Sequence, residues 1–139
     1  IVDGGTSATS TTVADADRVV LNDNGTMVQV AMTDIKTYIG GGTSWQAVKT
    51  SNFTAAAGQG VFCNTTSAAF TLTLPAGSIG DEVSFVDYAG TFDSNNLTIA
   101  SNGSEKIHGS TDDLTVATER AGFTLVFTDS TQGWLLKDK

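Results

Sequence analysis

Phe70-Thr71-Leu72-Thr73-Leu74 sets the fold class of this chain. Three apolar side chains alternate with two threonines, the period of an extended segment with one face on a core and the other toward water. Phe123-Thr124-Leu125-Val126-Phe127-Thr128 repeats the pattern with a larger apolar face. Weaker versions run through Val61 to Cys63, Val83 to Tyr88, Leu97 to Ile99, Lys106 to His108, Leu114 to Val116 and Trp134 to Leu136, so about eight strands are expected. Turn-forming clusters separate them: Pro75-Ala76-Gly77, Asp93-Ser94-Asn95-Asn96, Ser101-Asn102-Gly103-Ser104, Asp112-Asp113 and Asp129-Ser130-Thr131-Gln132-Gly133. A strand roughly every ten residues, with no long helical pattern, points to an all-β fold, an antiparallel β-sandwich or barrel-like domain. Parallel α/β arrangements are not expected, because the chain offers no crossover helices.

Upstream of this pattern, Gly40-Gly41-Gly42-Thr43-Ser44 is a flexible polar break, and a boundary is expected there between residues 1–44 and 45–139. Residues 1–14 are small and polar, with neither helical nor strand periodicity, and cannot order themselves alone. Arg18-Val19-Val20-Leu21 and Thr26-Met27-Val28-Gln29-Val30 flank Asn22-Asp23-Asn24-Gly25, which predicts a hairpin turning at the Asn-Gly pair. Thr33 and Asp34 are placed to cap a helix of two turns through Tyr38 and Ile39. A hairpin and a two-turn helix have no core of their own. Val19, Leu21, Met27, Val28, Ile35 and Tyr38 are therefore expected to bury against another surface, in the same chain or in a second copy.

The 139 residues suffice for one ordinary domain with a short appendage. Hydrophobic residues make up 40% and mean hydropathy is +0.01, and the apolar runs are too short for a bilayer span or a signal-peptide core. A soluble chain is expected. Its start at Ile1 suggests a processed or excised piece. Seven Lys and Arg against fifteen Asp and Glu give a net charge of -8, with no two basic residues adjacent. Nucleic acid, which needs clustered cations, and anionic membranes are not expected partners.

No constellation in the sequence carries recognisable catalysis, and no cofactor is expected. His108 is the only histidine, with Ser104, Ser110, Asp112 and Asp113 near it. A triad needs partners converging from separate elements and a nucleophile on a strained turn, and there is no G-x-S-x-G. The oxygen-bearing residues Asp81, Glu82, Asp87, Asp93, Asn95 and Asn96 match no calcium-loop spacing, and Asn22-Asp23-Asn24-Gly25 lacks the rest of an EF-hand. These read as solvated turns. Cys63 has no disulfide partner and reads as a small buried hydrophobe. Asn24, Asn52, Asn64, Asn96 and Asn102 head N-x-Ser/Thr triplets, a number that the composition explains, and read as unmodified. Trp45, Tyr88 and Trp134 are candidates for stacking on sugar rings, although aromatics serve equally as core and interface anchors. Since binding residues favour loops on a rigid frame, the turns bearing Asp93, Asn95, Asn96, Asn102 and Ser104 are the expected contact surface.

Two stretches carry a resemblance. Asp15 through Val30, followed by Met32 through Ile39, resembles a connector segment in tail-fibre-like proteins of bacteriophages, marine ones in particular. Leu74-Pro75-Ala76-Gly77, Gly80-Asp81-Glu82-Val83-Ser84-Phe85-Val86-Asp87, Asn96-Leu97-Thr98-Ile99, Gly109 and Gly133-Trp134 resemble the β-domains that follow such connectors. The resemblance implies a virion component, extracellular when mature and typically homotrimeric. Its partners would be other virion proteins and a host-surface glycan or protein, and no catalytic residue carries over. The alternative is a monomeric carbohydrate-binding module of a secreted protein. A small glycan-cleaving domain is a third reading, requiring two carboxylates that converge in a cleft.

Overall fold

The computed structural model describes residues 12–40 and 42–138. The chain divides into two compact units, Ile1–Gly41 and Gly42–Lys139.

In the first unit, β1 (Arg18–Asp23) and β2 (Thr26–Ala31) form an antiparallel hairpin closed at Asn24 and Gly25. Both turn residues have positive φ, 48° and 93°, the signature of the mirror-image turn whose twist suits paired strands. The Gly25 N–H donates to Asn22 Oδ1 at 2.7 Å. Val19 opposes Val30 and Leu21 opposes Val28, so these four share one face. Val20, Met27 and Gln29 fall on the other. β2 runs directly into α1 (Met32–Ile39). The expected caps Thr33 and Asp34 lie inside its first turn. The N-cap is Ala31, with no side-chain hydrogen bond, and the Met32 N–H instead donates to the Asp17 carbonyl at 2.9 Å. A backbone carbonyl from the chain before β1 thus replaces the side-chain cap. The helix stops at Gly40, whose φ is 74°.

The second unit is strand-rich: β3 (Ser44–Trp45), β4 (Phe53–Thr54), β5 (Gln59–Cys63), β6 (Phe70–Thr73), β7 (Glu82–Asp87), β8 (Leu97–Ala100), β9 (Leu114–Val116), β10 (Gly122–Phe127) and β11 (Trp134–Leu136). They form a five-stranded sheet in the order β11-β10-β7-β5-β3 and a four-stranded sheet in the order β4-β6-β8-β9. The expectation of an antiparallel sandwich or barrel needs correction. β3 with β5, β5 with β7, β4 with β6 and β6 with β8 pair in parallel, and only the pairs involving β9, β10 and β11 are antiparallel. From β3 to β8 the chain alternates between sheets, so the crossover joining each parallel pair contains a strand of the other sheet. A parallel ladder needs a long return path, and here that path needs no helix.

Both sheets contribute to one buried cluster. Val61, Cys63, Val83, Phe85 and Leu125 of the five-stranded sheet and Leu72, Leu97 and Ile99 of the four-stranded sheet are fully buried, as is Phe92 from the β7–β8 connection. Burial of large apolar side chains contributes roughly 1.5–3 kcal/mol each. Phe127 meets Trp134 edge to face at 5.4 Å between centroids, and Phe85 meets Phe123 at 4.1 Å. Lys106 to His108, expected to be a strand, is not one. Ile107 is buried and makes only isolated bridges, to Ser110 and to Trp134. The chain then turns through His108 and Gly109, with φ of 52° and 79°. Among the described residues no helix is long and apolar enough to cross a membrane.

Candidate binding surfaces

Asp87 ends β7 with its side chain on the buried face. Its carboxylate accepts four backbone N–H groups: Gly90 at 2.9 Å and Thr91 at 3.1 Å on Oδ1, Phe92 at 3.2 Å and Arg120 at 3.0 Å on Oδ2. Burial alone would raise its pKa, but the bonds from Thr91, Phe92, Arg120 and Gly90 hold it below the ordinary carboxylate value. The group fixes the β7–β8 connection to the turn before β10. Cys63 is buried, and burial first, then the Asp87 charge, pushes its thiol up to about 12. It is a core residue with suppressed nucleophilicity.

The turns expected to make contact are themselves anchored. Asp93 is exposed and accepts from the Ser94 hydroxyl at 3.2 Å. Asn95 is half-buried, its amide donating to the Thr65 carbonyl at 2.9 Å, and Asn96 is exposed. Asn102 and Ser104 are exposed, and the Asn102 carbonyl accepts from Glu105 N–H at 3.0 Å. Asp93, Asn96, Asn102 and Ser104 therefore face solvent, while Asn95 spends its amide on the loop before β6.

His108 is exposed, and its Nε2 accepts the Leu136 N–H at 3.2 Å. Ser110 donates to Asp112 Oδ2 at 2.8 Å. Each is thus held by a different neighbour. Among the described residues no three His, Cys, Asp or Glu side chains gather as a metal site.

The three aromatic candidates separate. Trp134 is fully buried, its Nε1–H donating to Glu105 Oε2 at 3.2 Å, and cannot meet a ligand. Glu105 Oε1 accepts from Gly77 N–H at 2.9 Å, so this carboxylate pins the Pro75–Gly77 turn. Tyr88 is 54% exposed and Trp45 is 47% exposed. Trp45 stacks on Phe62 with centroids 4.6 Å apart and planes at 22°. The indole sits against Gly60, its partner across β3 and β5, where any Cβ would lie 2.5 Å from the ring. In register with Gly60 on the next strands are Ser84 and Thr124, whose hydroxyls bond at 2.8 Å. Phe62 and Gly60 are not among the residues that sequence reasoning singles out. A glycine inside a strand is a usable signal of close approach, and Gly60 lies between Gln59 and Val61 in β5.

In the first unit none of the described residues is buried. Tyr38 is 92% exposed and Leu21 42%. Leu21, Val30, Asp34, Ile35 and Tyr38 line a groove of about 420 Å³ between hairpin and helix. Of the expected interface residues, Val19, Leu21 and Val28 lie on the hairpin face that shares this groove, with Ile35 and Tyr38 on the groove itself. Met27 points the other way. No family model and no curated protein matches this chain.

Proposed function

We propose that this chain is a non-catalytic structural and adhesive module of a bacteriophage tail fibre. It acts as a homotrimer, with the first unit in the subunit interface and the β-rich unit presented to the host surface. The observation that carries the reading is the first unit's unburied apolar face. Val19, Leu21, Val28 and Val30, with Ile35 and Tyr38, cluster on one side of a two-stranded hairpin and an eight-residue helix. Such a unit lacks independent stability in water. Covering these side chains, which range from partly buried Val28, Val30 and Ile35 to Tyr38 at 92% exposed, would contribute on the order of 5 kcal/mol per subunit. The resemblance of residues 15–39 to fibre connectors agrees with that use. The β-rich unit supports the display role, because its turns are held by backbone and carboxylate bonds and can present fixed polar groups.

The test is face-specific. Leu21→Asp with Val28→Asp, in the intact chain, is expected to give monomers in sedimentation velocity, whereas Val20→Asp with Met27→Asp is expected to leave assembly intact. Equal behaviour of the two pairs removes the basis for the interface. For the display role, the intact protein is expected to attach to host cells, and absence of any attachment would remove that role. The carbohydrate-binding module is the second reading, favoured by the exposed Trp45. It would be monomeric.

A further inference from the structure

We infer that the outer face of the five-stranded sheet around Trp45 is a glycan-binding platform that stacks the apolar face of a neutral pyranose ring. The inference rests on the adhesive reading above and moves the contact from the turns to the sheet. Three observations converge. Trp45 is 47% exposed although Phe62 already stacks on it, so the ring keeps open surface with its orientation fixed. The position is built into the strand opposite: only glycine at 60 leaves room, since a Cβ there would fall 2.5 Å from the indole. Beyond that glycine, in the same row across the sheet, the paired hydroxyls of Ser84 and Thr124 offer polar partners to sugar hydroxyls. A hydrophobic ring beside uncharged donors and acceptors is the pattern that recognises saccharides, with apolar contact for area and polar groups for orientation.

Size argues against a protein partner on this patch. The exposed ring here is one indole, 47% exposed and backed by Phe62, and even a whole aromatic side chain covers only about 150–250 Å², against about 800 Å² per partner in a stable protein interface. One or two sugar rings fit that area. A net charge of -8 disfavours acidic polysaccharides, so a neutral glycan is the committed occupant.

The experiment applies the intact protein to an array of neutral O-chain, capsular and glucan polysaccharides, with acidic capsules alongside. Wild-type protein is expected to bind neutral members. Trp45→Ala is expected to weaken binding about tenfold or more, the scale of one aromatic stack. Trp45→Phe should recover part of it, and Gly60→Ala, which displaces the ring without removing it, should weaken it too. Acrylamide quenching provides a reading without mutation: Trp134 is buried, so a bound neutral glycan must protect Trp45. Binding that survives Trp45→Ala but is lost on exchanging the Asp93–Asn96 and Asn102–Ser104 turns would overturn the platform and keep the adhesive module. Selective binding to acidic capsules would overturn the ligand class. No binding to any array member or to host cells would overturn both.

Discussion

Replacing Asp87 by alanine removes the acceptor of four backbone N–H groups at once. The side chain is 3% exposed, so water cannot replace the carboxylate without opening the β7–β8 connection. A buried donor left without a partner costs about 1–3 kcal/mol. Allowing for relaxation and partial wetting of the exposed Arg120 segment, the loss is about 3–5 kcal/mol, a large part of the 5–15 kcal/mol that holds a typical domain. Urea unfolding followed through Trp134 fluorescence should show the midpoint falling by about 3 M, for a slope near 1.3 kcal/mol/M. Asp87→Asn keeps one oxygen acceptor and should lose about half as much. The pH dependence has a definite sign. The folded-state pKa lies below that of the unfolded chain, so this stabilisation is complete above the unfolded value of about 3.9 and is lost as pH falls through the folded value. Wild-type protein should therefore lose stability below about pH 4 more steeply than Asp87→Asn. A loss under about 1 kcal/mol in Asp87→Ala, or parallel acid profiles, would refute the assignment of Asp87 as the anchor of both segments.

Two further outcomes follow from the packing. Cys63, fully buried with its thiol pushed up to about 12, should stay unreactive to a disulfide reagent at pH 8 in the native protein and react at once in urea; native-state labelling within minutes would contradict its place in the core. Gly133→Ala would drive a methyl group into the Lys106 carbonyl at a backbone φ of 70°, and should cost more than about 2 kcal/mol in chemical denaturation, whereas Gly103→Ala, with open space around it and a φ of 58°, should cost about 1 kcal/mol.

The extended segments are legible in the sequence where alternation runs for four or more residues. Phe70–Thr73 and Glu82–Asp87 bury every second side chain as their patterns require, and the Asn24-Gly25 turn follows from which residues tolerate positive φ. Partner choice is not legible. Period-two alternation states which face is buried but carries nothing about the direction of the neighbouring strand, so the parallel pairs leave no mark in it. β3 and β4 are two residues long, too short for any period. Lys106–His108 mimics a strand because Ile107 is buried, while the turn at His108 depends on a non-glycine residue in left-handed backbone. The Asp87 anchor is hidden for a related reason: Arg120 is far away in sequence and contributes its backbone, which its identity does not announce. Trp45 is a legible candidate, but its seat on Gly60 emerges only once the β3–β5 register is known.

The most direct measurement of the central claim is the mass of the intact chain by light scattering after size exclusion, at low micromolar concentration and moderate salt. Assembly through the first unit predicts about three times 14.3 kDa, falling to a single chain's mass when the Leu21 and Val28 face is made acidic. A stable 14.3 kDa monomer with an ordered first unit would contradict it.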